Sequence, residues 1–179
     1  KIESKINIFP EKIEFGKTFI FENRENIIKQ EMKIYNLGIE DLEWKIELTP
    51  GFQQLKTNGV FQISKQKGKI ISDGTSHDTV CLNFRPNNSQ IYEENFIIYV
   101  KAEDSNSYMK AKTVKVFGEG MFPRIYFDKR EIIFPIVPLG IESRVPFKVK
   151  NDGYEECEFK CKVVCNSGNV PVNIELKSG

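Results

Sequence analysis

Cys157, Cys161 and Cys165 are the residues best placed by type and spacing to do chemistry, since thiolates four apart on a helix line one face and can converge on a metal. The residues between them exclude that helix. Cys157, Phe159, Cys161, Val163 and Cys165 alternate with Glu158, Lys160 and Lys162, which is the period of a strand. Along a strand, at ~3.3 Å per residue, neighbours four apart stand ~13 Å from each other. A disulfide needs Cα atoms within ~7 Å and zinc needs sulfurs at ~2.3 Å, so these cysteines are expected to be small buried thiols that hold no metal. Cys81 is far off in sequence, so no disulfide framework is expected and a cytosolic, reducing compartment fits.

The single histidine, His77, lies between Ser76 and Asp78. Three consecutive residues of a loop cannot converge as nucleophile, base and orienting acid, and His77 reads as a solvated loop residue. Glu93-Glu94 and Glu155-Glu156 would point to opposite faces of a strand, which suits acid–base work poorly. Gly118-Glu-Gly120 leads into Met121-Phe-Pro123 rather than a helix start, so it is no phosphate loop. Asn87-Asn-Ser89 matches the glycosylation pattern, an accidental match in a cytosolic chain. These patterns predict a protein without catalytic residues, cofactor, metal or small-molecule substrate. What remains is charge: Lys65, Lys67 and Lys69 in a short basic loop, and Lys110, Lys112 and Lys115 on what reads as an edge strand. Lysines on an edge mostly block strand-to-strand aggregation. Their other use is as contacts for an acidic partner such as the tails of tubulin, with Lys65, Lys67, Lys69, Lys110 and Lys112 as candidates.

Composition narrows the partners further. The 26 basic and 25 acidic residues leave a net charge of +1, too small a field to draw nucleic acid or an anionic membrane. No apolar run approaches the ~18–20 residues that span a bilayer. Fourteen Phe and six Tyr, with many Ile and Val, favour strands and can fill a sandwich core. The chain starts with Lys, not Met, and carries no signal-peptide pattern, so it is expected to be a piece of a longer polypeptide.

The elements that must position these residues are given by an internal repeat. At a fixed offset of 115 residues, Lys33, Asn36, Gly38, Glu40, Glu43 and Lys45 match Lys148, Asn151, Gly153, Glu155, Glu158 and Lys160, and Trp44 matches Phe159. Each copy reads as a strand, an Asn-x-Gly turn and a second strand, with Gly38 supplying a positive φ. In the first copy Leu42, Trp44, Ile46 and Leu48 alternate with Glu43, Lys45 and Glu47, the pattern of a half-buried antiparallel strand. Ile6–Phe9 and Lys12–Phe15, broken by Pro10 and closed by Gly16, predict a first strand split between two sheets. Pro50-Gly51 and Asn58-Gly59 read as a loop, Asp73-Gly74 as a turn, and Phe61–Ile63, Gly68–Ile71, Val80–Phe84, Phe96–Val100 and Tyr108–Phe117 as further strands.

About seven strands predict an all-β, immunoglobulin-like sandwich over residues 1–120. Gly118-Glu-Gly120 is the expected boundary, and residues 121–179 are expected to be the N-terminal part of a second sandwich, with strands at Ile125–Phe127, Ile132–Phe134, the cysteine segment and Val170–Leu176.

The residues support a family resemblance. Asn36-x-Gly38 before the Trp44 strand, Phe61-x-Ile63 with Gly68 and Ile70, Val80-x-Leu82-x-Phe84-x-Pro86 with Tyr92, and Gly118-x-Gly120 ahead of Pro123 resemble the ASH domain, a PapD-like relative of the major sperm protein domain. The resemblance covers the first domain and, through Asn151 and Gly153, the start of the second. Family members often carry Pro where Lys65 stands and Pro-Gly at Asp73-Gly74, so that turn is less typical here. ASH domains occur in tandem in large ciliary proteins of the hydin and cilia- and flagella-associated type. The resemblance therefore implies a non-enzymatic module of a ciliary scaffold, in the axonemal central apparatus, whose partners are other axonemal or cytoskeletal proteins. The alternative it implies is a peptide-recognition domain, like the vesicle-associated relatives of major sperm protein, in a cytosolic or centrosomal adaptor.

Overall fold

Alternation of apolar and polar residues sets nearly every strand in the first two thirds of the chain. The computed structural model describes residues 6–162 and 172–176. In chain order the elements are β1 (Ile6–Phe9), β2 (Lys12–Phe19), β3 (Ile28–Asn36), β4 (Leu42–Leu48), α1 (Pro50–Thr57), β5 (Phe61–Ile63), β6 (Lys67–Ile70), β7 (His77–Phe84), β8 (Ile91–Ala102), β9 (Met109–Met121), β10 (Arg124–Phe127) and β11 (Val149–Asp152). They fall into two compact units that divide between Pro123 and Arg124.

The first unit is a sandwich of a four-stranded sheet, β1-β3-β7-β5, and a five-stranded sheet, β2-β9-β8-β4-β6. Pro10 separates β1 from β2, and the two halves go to different sheets: β1 pairs antiparallel with β3, β2 parallel with β9. Gly16 does not end β2. It adopts φ +69° at a register shift between Glu14 and Lys17, and the strand continues to Phe19. The inner faces meet in one core in which Trp44, Phe96, Ile98 and Val114 from one sheet and Met32, Val80, Leu82 and Phe84 from the other are fully buried. Each such side chain contributes ~1.5–3 kcal/mol of burial.

The expected loop at residues 50–59 is instead a helix. Thr49 caps it, its hydroxyl accepting from the Phe52 N–H at 3.3 Å, and Pro50 opens it at a position where no N–H is needed. Gly59, at φ +76°, closes it, its N–H donating to the Lys56 carbonyl at 3.0 Å. Phe52 is fully buried against Phe61 and Phe96, with ring centroids 5.1 and 5.8 Å away, so one aromatic side chain pins the helix.

Two glycine expectations change. Gly38 is not among the residues of positive φ, because its N–H donates to Asn36 Oδ1 at 2.9 Å and this side-chain turn needs no left-handed residue. Gly118 and Gly120 are not a linker but lie inside β9. A Cβ on Gly118 would stand 2.7 Å from the Phe84 ring, and one on Gly120 would stand 2.3 Å from the Asn88 carbonyl and 2.7 Å from Pro86 Cβ. The bare backbone lets Phe84 and the Pro86 loop close on β9.

In the second unit β10 and β11 pair antiparallel, with Ile125 opposite Asn151 and Phe127 opposite Val149. That is the arrangement of β1 and β3, where Ile6 faces Asn36 and Ile8 faces Ile34. An asparagine ties the turn in both, with different spans: Asn36 Nδ2 donates to the Glu40 carbonyl, four residues on, at 2.9 Å, and Asn151 Nδ2 to the Tyr154 carbonyl, three residues on, at 2.8 Å, where Gly153 takes φ +106°. The strands expected at Ile132–Phe134, at 155–162 and at 172–176 are not formed. In the first unit β2 forms on β9, and β4 on β6 and β8, whereas residues 131–138 and 155–162 pair with no strand among the described residues. Cys165 and the start of the Val170 segment lie outside the described residues.

Candidate protein-binding face

Register on the five-stranded sheet brings distant lysines into line. Lys45 on β4 faces Lys67 on β6 and Tyr99 on β8, and Tyr99 faces Lys110 on β9. Their strand neighbours Trp44, Ile46, Ile98 and Val100 are buried, so the row Lys67, Lys45, Tyr99, Lys110 runs across the outer face. None of its three amines pairs with a carboxylate among the described residues. Lys45 lies instead over two rings, 4.8 Å from the Tyr108 centroid and 5.3 Å from that of Tyr99.

The adjacent row is neutralised. Glu43 faces Lys69 and Lys101, pairs with Lys101 at 2.9 Å and accepts from the Tyr108 hydroxyl at 3.2 Å. The Lys101 and Tyr108 hydrogen bonds lower the Glu43 carboxyl below its ordinary range, and Glu43 in turn raises Lys101. Desolvation, followed by the Glu43 hydrogen bond, raises the Tyr108 phenol. Lys69 bonds Glu103 at 2.7 Å and lies 3.5 Å from Asp41, and the Glu103 bond raises its pKa. These exposed pairs orient side chains more than they stabilise the fold.

The lysines singled out by sequence thus divide. Lys67 and Lys69 occupy an edge strand, β6, rather than a loop. Lys65 pairs with Asp78, which also accepts from Trp44 Nε1 at 3.0 Å. Lys115 is not on an edge, since there β9 lies between β2 and β8; the β2 ladder reaches β9 only from Lys115 onward, so Lys110 and Lys112 lie on an open edge stretch of that strand. Lys112 faces the inward-pointing Ile98, and its amine reaches Glu11 at 2.5 Å. Lys45, Tyr99, Lys101 and Tyr108 were not singled out by sequence. Their signal was there, at the polar positions alternating with Trp44 and Ile98, but alternation alone marks such positions as solvent-facing.

The other candidates do not converge. His77 begins β7 rather than sitting in a loop, and its ring lies 5.0 Å from that of Tyr35. Cys157 is half-buried and Cys161 exposed, against the expected buried thiols, because the strand that would turn them inward is not formed. Among the described residues no group of three His, Cys, Asp or Glu is placed to hold a metal, and no helix is long and apolar enough to cross a membrane.

The backbone can be matched to solved structures. An ASH/PapD-like domain of human CEP192, PapD-like domain 7, superposes with a TM-score of 0.51 at 15% identity over 66% of this chain and 86% of that chain. The fold is that of an ASH/PapD-like sandwich. The WR4 member of the C. elegans MSP family matches with a TM-score of 0.43 at 12% identity over 65% of this chain and 98% of that one. The YadV chaperone matches with a TM-score of 0.46 at 10% identity over 82% and 83%. No family model matches the sequence, and no curated protein matches it. Within the ASH/PapD-like sandwich, two of the motif residues, Tyr92 and Gly118, face each other across the ladder, and the Tyr92 hydroxyl donates to Asn87 Oδ1 at 3.0 Å.

Proposed function

We propose that this chain is a non-enzymatic, protein-binding module of a large multidomain scaffold in the axoneme of a cilium or flagellum, at the central apparatus. Its partners are other axonemal or cytoskeletal proteins, with tubulin tails among the acidic candidates. The observation that carries this reading is the second unit, whose β10–β11 pair repeats the register and asparagine turn of β1–β3. Binding domains repeated along one polypeptide hold several proteins at set spacings. The ASH/PapD-like fold agrees with such a role.

A second reading is a peptide-recognition domain in a cytosolic or centrosomal adaptor. It is favoured by the row Lys67, Lys45 and Lys110, which pairs with no carboxylate among the described residues and suits an acidic peptide lying across the strands. The likeness to a CEP192 domain agrees with it.

Proximity labelling by the tagged full-length protein in ciliated cells distinguishes the two. Axonemal neighbours that persist after detergent extraction are the expected result. Enrichment at the centrosome would favour the adaptor, and a diffuse pattern without reproducible neighbours would overturn both.

A further inference from the structure

Tyr108 has two amines beside its ring and a carboxylate at its tip. Lys45 Nζ lies 4.8 Å and Lys101 Nζ 5.5 Å from the ring centroid, and the phenol hydroxyl donates to Glu43 at 3.2 Å. At an exposed site an amine over a neutral ring is held weakly, whereas an anion placed at the same point makes charge-assisted hydrogen bonds with it. The surroundings of Tyr108 therefore suit a phosphate better than they suit a phenol.

The chain around Tyr108 opens at small cost. Among the other tyrosines of the first unit, Tyr35 and Tyr99 are paired with strands on both sides and Tyr92 is buried. Tyr108 is 37% exposed and lies outside the strands, between the polar turn at 103–107 and the start of β9. From Met109 to Val114, β9 is paired by β8 alone, since the β2 ladder begins at Lys115. Fraying the end of one ladder thus frees an extended segment with the tyrosine near its middle, the form in which a kinase cleft takes its acceptor.

We propose that Tyr108 is a phosphorylation site, and that its phosphate gathers Lys45 and Lys101 and so closes the lysine row to acidic partners. The closure rests on the second reading above, in which that row takes an acidic peptide. The step is a phosphoryl transfer from ATP by a tyrosine kinase: the bond from Tyr108 Oη to the γ-phosphorus forms, the bond from that phosphorus to the bridging oxygen breaks, ADP leaves, and the phenol proton passes to the base of the kinase. The product carries ~1.5–2 negative charges at pH 7 and three acceptor oxygens. It repels Glu43, takes over Lys101 and draws Lys45, the middle amine of the row, off its two rings. Lys67, Lys45 and Lys110 stand on strands ~4.8 Å apart, so the added charge lies within about one Debye length of all three and cancels most of their attraction.

In the test, the whole chain is treated with ATP and, separately, two tyrosine kinases of different sequence preference, and the modified tyrosines are mapped by mass spectrometry. Tyr108 is expected to be modified at least ~10-fold faster than Tyr35, Tyr92 or Tyr99. The reverse order, or a Tyr108 that neither kinase modifies, would overturn the proposal. The chain with phosphotyrosine inserted at 108 during translation serves for two further measurements. By phosphorus NMR, its phosphate is expected to lose its last proton at lower pH than in the same chain unfolded in urea, and Lys45→Gln with Lys101→Gln to remove the difference. Equal titrations of folded and unfolded chains would overturn the gathering of the two lysines. A fluorescent Glu-rich peptide is expected to bind the phosphorylated chain at least ~10-fold more weakly than the unmodified one, and kinase treatment of Tyr108→Phe to leave the affinity of that variant as it was. Binding of equal strength to both forms would overturn the closure. If the unmodified chain does not bind the peptide, the acidic-peptide reading fails and the closure with it, while the mapping and the titration still decide the modification and the place of its phosphate.

Discussion

Trp44 is held at three points, and each comes from a different part of the sequence. Its ring is fully buried, its Nε1 donates across the sandwich to Asp78, and Gly68 faces it on the neighbouring strand. A Cβ on Gly68 would stand 2.7 Å from Trp44 Nε1 and 2.3 Å from Asp78 Oδ2, so that glycine is bare to make room for the indole and the carboxylate. Trp44→Ala is expected to cost ~3–5 kcal/mol, read as a shift in the urea midpoint of residues 1–123. Gly118→Ala, which forces a methyl group into the Phe84 ring, is expected to cost ~1–3 kcal/mol, with much of it recovered when Phe84→Leu is added. Asp73 makes a different kind of prediction. The Ser76 hydroxyl, helped by the Thr75 and Ser76 N–H groups, lowers its carboxyl from 3.8 to about 2. For a carboxyl depressed on folding, the stabilisation is present above 3.8 and lost as pH falls toward about 2. The amides of Thr75 and Ser76 should therefore lose protection in that window, and Asp73→Asn should abolish the pH dependence.

At the scale of elements, legibility followed length and pairing. The strands around Trp44, Val80 and Phe96 are legible because buried and exposed positions alternate over several residues. Helix α1 is not, since its eight residues span too few turns for a 3.6-residue period to show and it buries one side chain, Phe52. Its ends were visible as Pro50 and Gly59, but a cap and a turn use the same residue types. Thr49→Ala is expected to cost ~1 kcal/mol, and Thr49→Ser much less, as seen by thermal unfolding. Of the basic face, Lys67 and Lys110 were legible as residues, Lys45 and Tyr99 were not, and the site was not. Lys67 and Lys110 are far apart in sequence, and only the β6-β4-β8-β9 order with its register brings them level on either side of Lys45 and Tyr99. If that row takes an acidic peptide, Lys45→Glu should weaken binding of a fluorescent Glu-rich peptide at least ~10-fold, and raising the salt should weaken the unsubstituted protein similarly. Equal affinities for the two proteins would remove this face from consideration.

For the whole molecule, the sequence repeat is read as two units, and the β10–β11 pair takes the register of β1–β3. What sequence could not announce is that β2 lies parallel to β9, because a parallel ladder between the first and last strands leaves no local turn signal. That ladder runs from Lys12 opposite Lys115 to Phe19 opposite Met121, so the chain enters the five-stranded sheet and leaves the first unit along neighbouring strands pointing the same way. The arrangement has a mechanical consequence. Tension applied through Lys12 and Met121 pulls the two strands past each other and loads their hydrogen bonds together in shear, whereas tension applied through Phe19 and Met121 peels the ladder open one bond at a time. Single-molecule pulling through cysteines placed at those two pairs of positions should give the higher rupture force for the first pair. A module with this wiring resists being stretched along its own chain, the direction in which a neighbouring unit of the same polypeptide would tug on it.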